Sequence, residues 1–337
     1  MKQLEDEVSV RKFSGLMVDK EQFQDRDLSY DVTAAIHKFV KDIHSFGVVT
    51  LTTKPSHIDL KRKKTKQVHI QVPHSLSKSV NSIKLKLKLI VDSTGKDTWG
   101  CCVLPDGRMA FPDYYNRTVR VFETDGKTSF DIKTYSNACD IAYINENNKL
   151  AVTSGGQHLQ SISLLGIKHK QNIISEKILV NNSYYGIAVK DTKMICSTAD
   201  KGIQSIKQSG KSKIIVLENV PYGGYVATFG DKIYHTNHKT HSIKCSDKKG
   251  EKHWAFENVC VLKEPRGISV DNDGNVFVVG NESNNVVVLS ADGKQHKELL
   301  KASENLLYPY TLDYNRSTNE LLVANASGKA MLFTVDY

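Results

Sequence analysis

No stretch of 18 consecutive apolar residues occurs in the 337-residue chain, and none of its six cysteines belongs to a C-x-x-C pair. The first absence excludes a membrane-spanning helix. The second excludes the finger and RING types of zinc site, which need such pairs to close a tetrahedron. Cys139, Cys196, Cys245 and Cys260 stand singly and only Cys101 and Cys102 are adjacent. Several fall in apolar strand patterns, where a thiol behaves as a small buried hydrophobe, so reduced core cysteines of an intracellular protein are expected. The first residues, Met1 to Asp6, are charged and lack the apolar core of a signal peptide. A cytoplasmic location is therefore expected. Also missing are G-x-S-x-G, a phosphate loop and H-E-x-x-H, common signatures of hydrolases, nucleotide-binding enzymes and zinc proteases.

What the chain does contain is an internal repeat. Similar segments start near Asp97, Ala138, Tyr184, Gly224, Pro265 and Pro309. Each holds a strand, a polar turn, an apolar strand, a second turn and an alternating strand. The copies follow one another at about 40–46 residues, the length of one four-stranded propeller blade. Asp106-Gly107, Asn147-Asn148 and Asp273-Gly274 are hairpin turns, while Asp125-Gly126 and Asp292-Gly293 lead into fourth strands. The last copy reaches Tyr337 without a fourth strand. Ser82–Ile90, SIKLKLKLI, alternates apolar residues with lysine as a half-exposed outer strand does. It is expected to supply the missing strand and close the ring, with its lysines discouraging edge-to-edge pairing.

Composition is ordinary for a globular chain, 39% hydrophobic and 25% charged, with 46 Lys and Arg against 37 Asp and Glu, a net charge of +9. That balance favours acidic partners such as nucleic acid. Upstream of the repeats, Val32, Ile36, Phe39, Val40 and Ile43 recur at helical spacing. They predict an amphipathic helix over Ser29–Phe46, capped by Asp27, Ser29 or Asp31 and ended at Gly47. A short strand, Val48–Thr53, is expected next. The run Lys61-Arg62-Lys63-Lys64 reads as a solvated linker or weak basic patch. The expected organisation is thus 1–53 helix and strand, 54–81 basic linker, and 82–337 an all-β, six-bladed propeller.

Pro265-Arg266-Gly267-Ile268-Ser269-Val270-Asp271-Asn272-Asp273-Gly274-Asn275, followed by Asn284-Asn285-Val286-Val287-Val288, resembles the NHL repeat almost residue for residue. Gly107 with Asn116-Arg117-Thr118-Val119-Arg120-Val121-Phe122 resembles it too; the other four copies are degenerate. The segment Ile43-His44-Ser45-Phe46-Gly47-Val48-Val49-Thr50-Leu51 is similar to the junction that leads into the propeller of tripartite-motif (TRIM) proteins with NHL repeats. This resemblance implies that the N-terminal helix is the tail of a coiled coil. It further implies a recognition module linked to ubiquitin-ligase targeting, or an RNA-binding propeller in post-transcriptional regulation. The zinc-binding RING and B-boxes of that family have no counterpart here. The chain is accordingly expected to be a fragment of a longer protein or a relative without its catalytic part, and not an enzyme in itself.

In a propeller, the loops leading into each blade share a face with those joining its second and third strands. That places Trp99, Tyr184, Tyr185, Tyr222, Tyr225, Tyr308 and Tyr310 together with Arg117, Lys201, Lys239, Lys329 and Arg266. Trp99, Arg117, Tyr184, Lys201, Tyr225, Lys239, Arg266 and Tyr310 form the candidate partner-binding set. Aromatics interleaved with cations suit a protein or peptide partner, and equally single-stranded RNA, whose bases stack on rings while cations meet phosphates. The plainer alternative is packing around the channel with solvated lysines. His235, His238 and His241 in HTNHKTH would be scattered by a strand–loop–strand setting, so no metal is expected there. The third reading, a metal-dependent propeller hydrolase or lyase, needs convergent ligands, whereas Cys101, Ile141, Ile187, Val226, Ile268 and Leu312 are core types with Asp140 the lone carboxylate. No cofactor and no membrane partner is expected. The N-terminal helix either pairs with a second copy as a homodimer or packs on the propeller's side.

Overall fold

The computed structural model describes residues 14–19, 22–31, 48–54 and 79–337, the last without 93, 96, 156–159, 168–174, 181, 211–212, 218–219, 221 and 305. It divides into two units, Met1–Val72 and Pro73–Tyr337. The first holds an antiparallel sheet in the order β1 (Ser14–Asp19), β2 (Gln22–Asp31), β3 (Val48–Lys54). Ser29, Tyr30 and Asp31, the expected first helical residues, are therefore strand residues, paired with Thr50, Val49 and Val48. The rest of the expected helix, its homodimer role and the basic run Lys61–Lys64 lie outside the described residues.

The second unit is a ring of six four-stranded antiparallel blades. Blade I is β5 (Cys102–Val103), β6 (Met109–Asp113), β7 (Thr118–Phe122) and β8 (Thr128–Lys133). Blade II is β9 (Ala138–Ile144), β10 (Lys149–Ser154), β11 (Ser161–Gly166) and β12 (Ser175–Leu179). Blade III is β13 (Tyr184–Lys190), β14 (Lys193–Thr198), β15 (Ile203–Lys207) and β16 (Lys213–Leu217). Blade IV is β17 (Val226–Phe229), β18 (Lys232–Asn237), β19 (Ser242–Asp247) and β20 (Lys252–Glu257). Blade V is β21 (Pro265–Val270), β22 (Val276–Gly280), β23 (Asn285–Leu289) and β24 (His296–Leu300). Blade VI takes β25 (Pro309–Asn315), β26 (Glu320–Asn325) and β27 (Lys329–Asp336) from the C-terminal end and β4 (Lys84–Asp92) from before the first copy. The Lys-alternating strand thus closes the ring, with Lys84 opposite Asp336 and Asp92 opposite Lys329. One of its lysines, Lys88, forms an ion pair with the buried Glu320.

Middle strands such as β22 and β23 are apolar and buried along their whole length because neighbouring blades cover both faces. Outer strands such as β24 alternate and stay partly exposed. Apolar clusters form between successive blades. Phe277 and Val288 meet Leu321 and Phe333 between V and VI, and Phe111 and Phe122 meet Leu322 and Leu332 between VI and I. The Asp of the V-D-x-D-G-N motif organises its hairpin: Asp271 Oδ1 accepts from Asp273 N and Asn275 N, and Oδ2 from Asn275 Nδ2 and Tyr337 Oη. Its role is the turn, not chemistry.

Where the inner strands meet, size alternates around the ring. Gly100, Gly186 and Gly267 stand at matching places in blades I, III and V, with Asp140, Tyr225 and Thr311 in II, IV and VI. A Cβ on Gly100 would fall 2.8 Å from Asp140 Cα, one on Gly186 2.7 Å from Tyr225 Cα, and one on Gly267 2.6 Å from Thr311 Cα. The glycines let inner strands approach in pairs, and the larger partners then fill the channel. This positions the site described next.

Candidate functional site

The channel has two mouths of different chemistry. At the mouth reached by the loops between blades, a pocket of about 200 Å³ is lined from all six blades: Trp99 (I), Cys139 and Asp140 (II), Tyr185 (III), Tyr222, Gly223, Tyr225 and His238 (IV), Arg266 (V) and Tyr310 (VI). The rings support one another. Trp99 lies 4.3 Å from Tyr114 and 6.1 Å from Tyr310, centroid to centroid, while Tyr185 and Tyr222 meet edge to face at 5.0 Å. Tyr225 Oη donates to the carbonyl of Trp99, bridging blades IV and I.

Arg266 stands 5.1 Å over the ring of Tyr310 and its Nη2 donates to Glu264. Glu264 is itself held in an unusual conformation, φ 50°, which costs a residue with a Cβ roughly 1–2 kcal/mol. Its backbone N–H donates to His241 Nδ1 at 2.9 Å. A chain of contacts therefore runs from His241 through Glu264 and Arg266 to Tyr310. It fixes the guanidinium at the mouth. Arg266 Nε and His238 Nδ1 are buried and have no hydrogen-bond partner among the described residues. Burial and the Arg266 charge hold His238 below its ordinary titration range.

The opposite mouth is wider, about 490 Å³, and includes Asp140, Asp313 and Arg316. Its polar groups are already engaged. Asp140 Oδ2 accepts from Ile187 N and Asp313 Oδ2 from Val103 N, each at 2.9 Å and each across a blade junction. Arg316 donates to the carbonyls of Val270 and Thr228 and lies 5.1 Å over the ring of Phe229. Burial raises both acids, Asp140 to about 8. These groups tie the inner strands together.

The set read from sequence divides. Trp99, Tyr225, Arg266 and Tyr310 converge in the pocket. Arg117, Lys201 and Lys239 sit exposed in the turns between second and third strands, on the same face but not in the pocket wall. Tyr184 does not belong to the face: it is 1% exposed in the core between blades II and III, its Oη donating to Gln204. Strand alternation sends one of two adjacent tyrosines inward, and Tyr185 is the one at the mouth. Of the three histidines, His235 is buried in β18 and pushed down to about 4 by burial, while His238 and His241 both lie near the Arg266–Glu264 pair. Asp140 is accompanied by a second buried carboxylate, Asp313, which sequence comparison of the copies' lead positions missed. No group of three or more His, Cys, Asp or Glu suited to a metal ion occurs among the described residues. Sequence reasoning passed over Tyr114 and Glu264, and weighed His238 only as a metal ligand. The signal for Tyr114 was the Tyr114-Tyr115 doublet ahead of a turn; Glu264 carried no pattern of its own.

No protein-family profile matches the sequence, and no curated protein does. Solved structures do match in shape. The PQQ-bound aldose sugar dehydrogenase of Streptomyces coelicolor superposes with a TM-score of 0.62 at 9% identity, over 75% of this chain and 98% of that one. A protein of unknown function from Bacteroides thetaiotaomicron gives 0.61 at 11%, over 73% and 76%. A chain of a nidogen/laminin complex gives 0.56 at 12%, over 65% and 84%. At such identities the likeness establishes the propeller fold alone. No helix among the described residues is long and apolar enough to cross a membrane.

Proposed function

We propose that the chain is a non-catalytic binding platform that anchors a protein or peptide partner at the aromatic mouth. The observation that carries this reading is the contrast between the mouths: one has every named polar group committed to inter-blade ties, the other holds unsatisfied donors among aromatic rings. About 200 Å³ is smaller than the roughly 300–1,000 Å³ of small-molecule sites and suits one inserted side chain. The surrounding face agrees. Six of the nine exposed large hydrophobic residues described, Tyr115, Tyr135, Tyr222, Val259, Leu307 and Tyr308, lie in loops on that face. Rings already stacked on one another favour an inserted side chain over successive nucleotide bases, which need free ring faces. The NHL-like motifs add that this platform serves as the recognition arm of a TRIM-like assembly.

Peptides selected from a displayed random dodecamer library on the whole chain provide the test. Their binding is expected to fall at least tenfold on Trp99→Ala and on Tyr310→Ala, and to be unchanged by Asn145→Arg at the opposite mouth. Equal loss on Asn145→Arg, or no selected peptide at all, counts against the reading.

A further inference from the structure

Resting on the reading above, we infer that the occupant of the pocket is a carboxylate side chain, a Glu or Asp within an internal segment of a partner protein. Two buried donors of the pocket lining lack partners: Arg266 Nε and, in the tautomer that carries its proton there, His238 Nδ1. Their side chains are neighbours. A Cβ placed on Gly223 would lie 3.7 Å from His238 Cε1 and 3.9 Å from Arg266 Nη1, so the bare backbone of Gly223 leaves space between the imidazole and the guanidinium.

Charge complementarity selects the occupant. Glu264 takes only Nη2 of the guanidinium, and the Nε–H of Arg266 remains to donate to a second acceptor. A cationic side chain would meet Arg266; an apolar one would leave both donors buried and unpaired, at a cost that a carboxylate removes. The rings around it exclude water and strengthen the pair. Tyr115, Tyr222 and Tyr308, 68%, 53% and 64% exposed, belong to blades I, IV and VI and so flank the mouth on several sides. A chain crossing the mouth, with residues on both sides of its anchor, uses them all; a chain terminus does not. The network behind Arg266 supports the same geometry, since His241 holds Glu264 and Glu264 holds the guanidinium.

The dodecamer selection distinguishes this inference from the reading it rests on. Selected peptides are expected to share one acidic position with apolar or aromatic neighbours. Replacing that Glu by Gln in the synthetic peptide should weaken binding about tenfold or more on the wild-type chain, and by less than threefold on Arg266→Lys, which keeps the charge but loses Nε and the planar fork. His241→Gly should behave like Arg266→Lys and His241→Asn like wild type. Both replacements relieve the left-handed backbone at His241 (φ 52°), but only Asn restores an acceptor for Glu264 N–H. Peptides that need Trp99 and Tyr310 yet share no acidic position overturn the carboxylate inference and leave the platform intact. Equal Glu→Gln losses on wild type and Arg266→Lys overturn it as well. Displacement of the peptide by single-stranded polyuridylate, dependent on Arg266, would reassign the site to phosphate. Peptides that ignore Trp99 and Tyr310 would overturn both.

Discussion

Asp140 shows how one residue can look like chemistry and serve architecture. It occupies the place that glycine holds in blades I, III and V, and its carboxylate accepts from Ile187 N of the next blade. Burial pushes its titration up to about 8, so the folded protein keeps this proton while the unfolded chain loses it near the ordinary value of 3.8. Between those values the native state binds more protons, and stability declines as pH rises from about 4 to about 8, then levels off. Asp313, raised for the same reason, adds a contribution of the same sign. Asp140→Asn keeps the acceptor and removes the titration. The urea midpoint of this variant should fall less than that of wild type between pH 5 and pH 8. An unchanged slope would show that Asp140 is not protonated in the folded state. Position in the repeat marked Asp140 from sequence; its bond to a neighbouring blade needed the ring, because it joins residues 47 apart.

At the scale of elements, the propeller was legible because each strand carries its environment in its pattern. Uniform apolar runs became middle strands, and the KLKLKL alternation became an outer one. The N-terminal segment was harder. Period 3.6 and period 2 compete in short amphipathic stretches, and Ser29 to Asp31 went to a strand paired with Val48 to Thr50. Glycine at the head of alternate inner strands is the other device that the repeat discloses, since the motif's third residue recurs as Gly100, Gly186 and Gly267. Gly267→Ala would drive a Cβ to 2.6 Å from both Thr311 Cα and Leu312 N, atoms that cannot yield separately from blade VI. A loss of about 1–3 kcal/mol in urea unfolding is expected, typical of overpacking. A neutral result would mean that inner strands V and VI separate freely.

For the whole molecule, topology does what local sequence cannot. Six blades bring Trp99, Tyr185, Tyr225, Arg266 and Tyr310 from across more than two hundred residues into one mouth. The four aromatic members of that set could be placed from loop position alone. The support for Arg266 could not, because the His241–Glu264 contact depends on backbone geometry that no pattern encodes. The exposed lysines and Arg117 showed the reverse: correct face, wrong depth. Hydrogen exchange of the chain with and without a selected peptide reads the central claim most directly. If the aromatic mouth is the binding surface, amides in 222–226, 238–241, 264–267 and 306–311 gain protection on binding, while those around Asn145 and Ser317 at the other mouth stay as they were. Protection confined to 145 and 315–317, with the aromatic loops unmoved, would contradict the account.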